Sequence, residues 1–316
     1  MRSLNLTVAI GASALMIGGG AARAADPESC AAVRFSDVGW TDITSTTAVA
    51  SVILEGLGYE PETEILSVPV TYASLENQDI DVFLGNWMPT MEGDVRPYLE
   101  KGTVEQTGVN LEGAKYTLAV PDYLAEQGLT DFADIAEFED ELDGEIYGIE
   151  PGNDGNRLIL EMIEENAFGL EGFELVESSE QGMLAQVRRA TQNQEPIVFL
   201  GWEPHPMNSN FDLTYLSGGD EVFGPDYGGA TVYTNVRAGY LEECPNVGRF
   251  LQNLKFSLDM ENQIMSAILD EGEEPEEAAR SWLGENPGVL DGWLEGVETL
   301  DGEPGLAAVR EHLGIS

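Results

Sequence analysis

The sequence predicts an α/β protein that folds as two lobes joined by two hinge crossings. Strand and helix patterns alternate in a first unit that begins near Val33 and again in a second unit that begins near Tyr116, which is typical of parallel α/β sheets. An apolar strand at 231–235 then returns the chain to the first unit. Two such lobes enclose a cleft, and a cleft between hinged lobes is the expected position of a ligand.

The first unit opens with a short apolar strand at 33–35 and a helix at 46–57. The helix is indicated by Val49, Ile53 and Leu57, which recur at helical spacing. The remaining predicted elements of this unit are a strand at 65–70, a short helix at 72–77 and a strand at 82–84.

The second unit contains a loop at 151–156, rich in glycine and asparagine, whose polar side chains suit the start of a helix. The other predicted elements are strands at 116–120, 146–149 and 197–200, helices at 157–165 and 180–191, and a helical tail at 245–258, 262–269, 275–283 and 306–313. The predicted first lobe is therefore 25–113 with 231–316, and the second is 114–230.

The first 24 residues have the pattern of a secretory signal peptide. Arg2 gives a positive start, an uncharged apolar run covers 4–20, and small residues at Ala22 and Ala24 suit cleavage between Ala24 and Ala25. A retained membrane anchor is the alternative, although the run is short for a bilayer span. The pattern favours an exported protein.

The sequence has two cysteines, Cys30 and Cys244. An isolated pair in an exported protein favours one disulfide. Such a bond would tie the start of the mature chain to a distant segment and put both in one domain. Two unpaired buried thiols are the alternative.

The chain is strongly acidic, with 58 aspartates and glutamates against 14 lysines and arginines. This balance excludes nucleic acid as a partner, because a polyanion requires a basic patch. Such acidity is typical of proteins adapted to salt or selected for solubility, and it would also attract cations. No stretch has the spacing of a calcium-binding EF-hand loop.

Three of the five tryptophans share one placement. Trp40, Trp87 and Trp202 each follow a small or polar residue just after an apolar strand, where the carboxyl ends of parallel strands face a ligand crevice. Trp282 and Trp293 lie in the helical tail and suit packing. Core packing is also the usual role of any one tryptophan at a strand end.

The repeated placement favours a site for a methylated ammonium cation. Such a cation donates no strong hydrogen bond, so several aromatic faces hold it best. Each face contributes about 0.5–2 kcal/mol, and micromolar binding requires about 8 kcal/mol net. Three or four faces together can therefore supply a large part of this affinity.

Five segments resemble the choline-binding proteins of bacterial ABC uptake systems, a group within the glycine betaine/choline-binding family. The resemblance extends from about Val33 to Leu269, and its motifs are FSDVGWTD at 35–42, LGNWMP at 84–89, AKYTL at 114–118, GIEPGNDG at 148–155 and FLGWEPHPM at 199–207. It implies a periplasmic protein with the two-lobed clamshell fold of type II periplasmic binding proteins, and a membrane permease as its partner. The Cys30–Cys244 disulfide fits this family.

The resemblance also implies the residues of the site. Trp40, Trp87, Tyr116 and Trp202 would form the box around the trimethylammonium group. Asp42 would supply a carboxylate, and Asn153 would contact the hydroxyl end of the ligand.

Asp42 is the main reason to expect choline rather than glycine betaine. Beside the aromatic box it would favour a cation and accept a hydrogen bond from a hydroxyl, whereas it would repel the carboxylate of betaine. A betaine site would instead use Lys115, Arg157 or His205, and His205 suits a structural role better. Asp42 could alternatively cap the helix that follows. Asn153 could alternatively be a turn residue. Acetylcholine is an alternative ligand to choline.

Catalysis is not expected. The chain has two histidines and no Gly-x-Ser-x-Gly elbow, and two histidines leave little for a zinc site. We therefore expect no metal or cofactor and a monomeric binding protein. Two other functions remain as alternatives: a betaine- or proline betaine-binding protein of the same fold, and a sensor module for quaternary amines.

Overall fold

A nine-stranded sheet runs through the computed structural model, which describes residues 25–315. The strands are β1 (Ala32–Asp37), β2 (Glu60–Ile65), β3 (Val82–Met88), β4 (Val104–Pro121), β5 (Glu145–Tyr147), β6 (Glu174–Val176), β7 (Phe199–Glu203), β8 (Leu213–Tyr215) and β9 (Gly229–Arg237). In space they follow the order β2-β1-β3-β9-β4-β7-β5-β6, and β8 pairs with β4 off this path.

The pairing divides the sheet into two parallel parts joined by an antiparallel ribbon. β1 is parallel to β2 and β3, and β5 is parallel to β6 and β7. Between these parts, β4 and β9 run antiparallel to each other, β9 pairs antiparallel with β3, and β4 pairs antiparallel with β7. We call the part with β1–β3 the first lobe and the part with β5–β7 the second lobe. β4 and β9 provide the two crossings that the sequence predicts.

Helices cover the sheet in both lobes. They are α1 (Thr41–Gly56), α2 (Val68–Asn77), α3 (Glu92–Lys101), α4 (Asp122–Ala125), α5 (Asp154–Glu164), α6 (Glu180–Asn193), α7 (Met207–Asn210), α8 (Asp220–Phe223), α9 (Pro225–Gly228), α10 (Tyr240–Glu243), α11 (Pro245–Asn253), α12 (Leu258–Leu269), α13 (Pro275–Glu285), α14 (Val289–Trp293) and α15 (Gly305–Leu313). Three 3-10 helices span Glu28–Cys30, Phe132–Phe138 and Ala167–Gly172.

Helix α1 is the central helix of the first lobe. It is buried along most of its length, with threonines and serines in its first half and apolar residues in its second, because the helical tail packs over it through α12, α13 and α15. The first turn of α1 is therefore held firmly where it points at the cleft.

Several predicted elements differ from the observed ones. The predicted strand at 65–70 is wrong, because β2 ends at Ile65 and Pro69 lies in the first turn of α2, a position that proline favours. The strand itself was missed because it is an exposed, glutamate-rich edge without an apolar pattern. The helix predicted at 245–258 ends at Asn253, and Ser257 caps a new helix.

The long strand β4 was predicted only in part, at 116–120. Its amino-terminal half contains Gly108 and Gly113, and its pairing with β9 shifts register at three points. Such irregular pairing interrupts the alternation of apolar and polar residues. Sequence periodicity therefore detects only the buried half of this crossing.

The predicted disulfide is present and joins Cys30 to Cys244, whose Cα atoms lie 5.7 Å apart. It ties the 3-10 helix at the start of the described chain to the start of α11. The alternative of two unpaired thiols is therefore wrong.

Two predictions concern parts of the chain that the fold does not test. The signal peptide at 1–24 lies outside the described residues, and the lobe boundaries at 113/114 and 230/231 stay predictions. Within 25–315, none of the helices combines the length and apolar character required to cross a membrane.

Candidate binding site

Four aromatic residues and one carboxylate line a small cavity between the lobes. Its lining residues are Trp40, Asp42, Trp87, Tyr116 and Trp202. All five are at least 95 % buried. The structure thus brings together five of the six residues that the sequence predicts for the site.

Neighbouring rings of the cavity meet edge to face and are not stacked on one another. Trp87 and Tyr116 have ring centroids 6.1 Å apart with planes at 63°, and Tyr116 and Trp202 have centroids 6.3 Å apart at 82°. Edge-to-face contacts of this kind stabilise aromatic clusters. Phe223 packs edge-on against Tyr116 but does not line the cavity.

The sheet fixes the positions of three of these rings. Tyr116 on β4 and Trp202 on β7 are register partners, so their side chains share one face. Trp87 lies on β3 opposite Val232 of β9. The sequence predicts Trp87 and Trp202 on loops, but both strands continue through a glycine and include the tryptophan. Their direction toward the cleft is nevertheless as predicted.

Trp40 reaches the cavity by a different route. It is the N-cap residue of α1 and follows Gly39, whose φ of 85° turns the chain away from β1. Its indole Nε1 donates a 2.6 Å hydrogen bond to Glu150 of the second lobe. The ring is therefore fixed from both lobes.

Tyr116 is enclosed by backbone at two glycines. A Cβ atom on Gly155 would lie 2.1 Å from the Tyr116 hydroxyl oxygen, and one on Gly228 would lie 2.1 Å from the Tyr116 carbonyl oxygen. No side chain fits at such distances, and the φ of 71° at Gly228 also favours glycine. These two glycines therefore allow the backbone to approach Tyr116 closely.

Asp42 lies in the first turn of α1 and is 1 % exposed. Its Oδ2 accepts a 3.2 Å hydrogen bond from Trp87 Nε1, whereas Oδ1 has no partner among residues 25–315. The alternative that Asp42 caps the helix is not supported, since Trp40 is the N-cap residue and the Asp42 side chain binds Trp87 rather than an amide of the first turn.

The environment of Asp42 favours a cation. Burial raises the pKa of Asp42 well above its ordinary value, and the nearby carboxylates of Glu180 and Asp37 raise it further. A positive charge in the cavity would offset both effects. The cavity is therefore suited to a ligand that carries a positive charge.

Asn153 does not line the cavity. It is the N-cap residue of α5, and its Oδ1 accepts hydrogen bonds from the Asn156 amide at 3.0 Å and from the Tyr116 hydroxyl at 2.9 Å. Its Nδ2 donates to Asp154 at 3.2 Å. The position behind Tyr116 agrees with the structural role considered from the sequence, and its contact with a ligand stays a prediction.

The cationic groups that a betaine site would use point elsewhere. Lys115 pairs with Glu203 at 3.4 Å, and Arg157 pairs with Asp94 at 2.9 Å. His205 is buried against Glu180, as a structural histidine would be. None of the three lines the cavity.

Two carboxylates near the cavity were missed by sequence reasoning. Glu150 accepts the hydrogen bond from Trp40, and Glu180 accepts two from Thr41. Both lie in the second lobe and bind residues of the first, more than 100 positions away in sequence. With 58 acidic residues in the chain, residue type alone gave no signal for these two.

Comparison with known proteins identifies relatives over most of the chain. The family model for the substrate-binding domain of ABC-type glycine betaine transport systems matches residues 31–285. A solved ABC-transporter choline-binding protein in complex with choline is 68 % identical, covers 92 % of this chain and 100 % of its own, and has a TM-score of 0.91. Lactococcal OpuAC, closed around glycine betaine, is 25 % identical, covers 83 % of this chain and 98 % of its own, and has a TM-score of 0.75.

A third relative has been solved without a ligand. An ABC-transporter choline-binding protein in an unliganded semi-closed conformation is also 68 % identical and covers 91 % of this chain and 100 % of its own, but its TM-score is 0.84. At equal identity, this chain is therefore more similar overall to the choline complex than to the semi-closed form. Hydrogen bonds between Trp40 and Glu150 and between Thr41 and Glu180 join the two lobes here.

Proposed function

This chain belongs to the family of substrate-binding domains of ABC-type glycine betaine transport systems, and from that premise we propose that it captures choline for uptake. The observation that carries the proposal is the cavity itself, in which four aromatic rings surround the buried carboxylate of Asp42. Proteins of this family bind a substrate and deliver it without changing it chemically.

The rings of Trp40, Trp87, Tyr116 and Trp202 would surround the trimethylammonium group. Each ring presents negative π density to the cation and contributes about 0.5–2 kcal/mol, with the upper values in water-excluded sites. All four rings are buried, so the upper part of this range applies. Four contacts then supply much of the 8 kcal/mol or so that micromolar binding requires.

Asp42 would interact with the positive charge of choline and accept a hydrogen bond from its hydroxyl. Its Oδ2 is held by Trp87 Nε1, which leaves Oδ1 free to accept a hydrogen bond from the ligand. A hydrogen bond to a charged acceptor is about twice as strong as a neutral one. Asn153 would act mainly by holding the Tyr116 hydroxyl, with its predicted contact to the ligand as a further role.

The same charge disfavours glycine betaine. Its carboxylate would approach Asp42, and Lys115, Arg157 and His205 are engaged with Glu203, Asp94 and Glu180 instead. A buried carboxylate without a donor carries a large desolvation cost. Acetylcholine keeps the cation but has no hydroxyl to donate, so it would bind more weakly than choline.

The cellular setting follows from the family, whose members act outside the cytoplasm with a membrane permease. We infer that this chain works in the periplasm as a monomer after its leader is removed between Ala24 and Ala25. We also infer that closure of the lobes creates the surface that the permease recognises. Amino-terminal sequencing of the exported protein tests the cleavage site, and sedimentation analysis tests the monomer.

Calorimetric titration of the purified mature protein tests the function. Choline, acetylcholine, glycine betaine and proline betaine are compared at low and high salt, and choline is expected to bind at least about tenfold more tightly than either betaine, a difference of about 1.4 kcal/mol. Tighter binding of a betaine would favour the betaine-binding alternative. Absence of binding to all four ligands would contradict the proposal, and a sensor role would be indicated by signalling rather than uptake.

A further inference from the structure

Glu180 connects the two lobes next to the cavity without lining it. It is the first residue of α6 and is 2 % exposed. Its Oε2 accepts a 2.7 Å hydrogen bond from the Thr41 amide, and its Oε1 accepts a 2.8 Å bond from the Thr41 hydroxyl. Since Thr41 begins α1, a carboxylate of the second lobe caps a helix of the first.

His205 provides a further hydrogen bond to the Glu180 carboxylate. Its Nδ1 accepts a hydrogen bond from the Met207 amide at 2.9 Å, so its proton lies on Nε2, which faces Glu180 Oε1 at 3.0 Å. Glu180 thus accepts three hydrogen bonds, two from Thr41 and one from His205. None of these donors is cationic, because a histidine with its only ring proton on Nε2 is neutral. The negative charge of Glu180 is buried and stabilised by dipoles rather than by a full positive charge.

This buried charge lies beside that of Asp42. Thr41, to which Glu180 binds, directly precedes Asp42 in the chain, and Glu180 raises the pKa of both Asp42 and Asp37. It also raises the pKa of Glu150, which holds Trp40. Closure of the lobes therefore brings several carboxylates together in a space from which water is excluded, where like charges repel strongly.

We propose that Glu180 is a specificity-determining residue that makes closure of the lobes depend on the net positive charge of the ligand. In the closed state its hydrogen bonds to Thr41 favour closure, whereas its negative charge repels the ionised form of Asp42, so that without a cation closure requires either this repulsion or protonation of Asp42. A cation in the box offsets the repulsion and leaves the hydrogen bonds. A zwitterion or a neutral ligand brings no net positive charge into the box, so it does not offset the repulsion between Glu180 and Asp42 and favours closure less. The inference rests on the proposed function, since it assumes that the box is the ligand site.

The Glu180→Gln variant removes the negative charge. Its single amide oxygen can replace only one of the two carboxylate oxygens that accept from Thr41, so the effect of a lost Thr41 hydrogen bond is measured separately in a control variant. We expect the ratio of the betaine dissociation constant to the choline dissociation constant to fall by about fivefold or more, the lower end of typical couplings between sites. Small-angle scattering should also show a larger closed population of the unliganded variant than of the wild type.

Thr41→Val is the matched control, because it removes the hydroxyl hydrogen bond and keeps the charge of Glu180. It should weaken choline and betaine by the same factor and leave their ratio unchanged. Circular dichroism and thermal melting of both variants report whether they fold. An unchanged ratio in a folded Glu180→Gln variant would overturn the inference.

A measurement on the wild-type protein keeps the inference testable if Glu180→Gln does not fold. Scattering is recorded at saturating choline and at saturating 3,3-dimethyl-1-butanol, a neutral molecule of the same shape. Choline should compact the protein and the neutral analogue should not, whereas equal compaction would overturn the inference. Failure of wild-type protein to bind choline at all would instead contradict the proposed function, so the two failures are distinguishable.

Discussion

Replacing Asp42 with asparagine removes the charge that we assign to cation recognition while keeping the shape of the side chain. The asparagine oxygen can still accept the hydrogen bond from Trp87 Nε1 that Asp42 accepts at 3.2 Å. The box of aromatic rings should therefore stay intact. Any change in ligand affinity then reports the charge of Asp42 and its free acceptor oxygen rather than a collapse of the cavity.

The magnitude follows from the burial of Asp42, which is 1 % exposed. Two unit charges about 4 Å apart interact by about 4 kcal/mol at an effective dielectric constant of about 20. Part of this energy compensates for removing both charges from water. A net loss of about 2 kcal/mol is expected, which corresponds to about thirtyfold weaker choline binding.

The assay is calorimetric titration of the variant with choline and with glycine betaine. Betaine binding should stay unchanged or improve, because the carboxylate that repels it is gone. Asp212→Asn is the matched control, because Asp212 is an exposed aspartate outside the cavity lining and undergoes the same chemical change. This control should bind choline as the wild type does. Choline affinity within about twofold of wild type in Asp42→Asn would refute the role of Asp42, since the expected loss is about 2 kcal/mol.

Three further predictions concern the rings and the titration of the site. Trp202→Ala should weaken choline binding by at least about 1 kcal/mol, measured by calorimetry, whereas Trp282→Ala on α13 should leave it unchanged; equal effects would contradict the box. Gly155→Ala should displace the Tyr116 hydroxyl, since a Cβ there would lie 2.1 Å from it, and should lower both the melting temperature and choline affinity. Because burial raises the pKa of Asp42, its proton is released when the cation binds, so choline affinity should rise with pH until the pKa of the unliganded site is passed. Titrations in buffers of different ionisation enthalpy measure that release, and a pH-independent affinity would argue against it.

The sequence predicted the residues that line the cavity better than the helices and strands that carry them. The placement of Trp40, Trp87 and Trp202 predicted three of the residues that line the cavity, because each tryptophan follows a recognisable apolar strand. The family resemblance added Tyr116 and Asp42, and the structure brings all five to one cavity. The pairing of Cys30 with Cys244 was likewise predictable, since there was no other cysteine to consider.

The remaining features depend on tertiary contacts that no local pattern records. Strand β2 is exposed and rich in glutamate, and its pairing with β1 holds it in the sheet. Glu180 acquires its role only when the lobes bring it to Thr41, 139 positions earlier in the chain. Asn153 satisfies both the N-cap of α5 and the Tyr116 hydroxyl, and this double role becomes visible only in three dimensions.

The central claim is that aromatic faces and a buried carboxylate select a positive charge. Comparing the affinities of choline and 3,3-dimethyl-1-butanol for the wild-type protein tests it most directly, because the two ligands have the same shape and hydroxyl and differ in charge. We expect the neutral alcohol to bind at least about a hundredfold more weakly, a difference of about 2.8 kcal/mol. Affinities within about threefold of each other would mean that the cavity selects its ligand by shape and apolar contact, and would contradict the account.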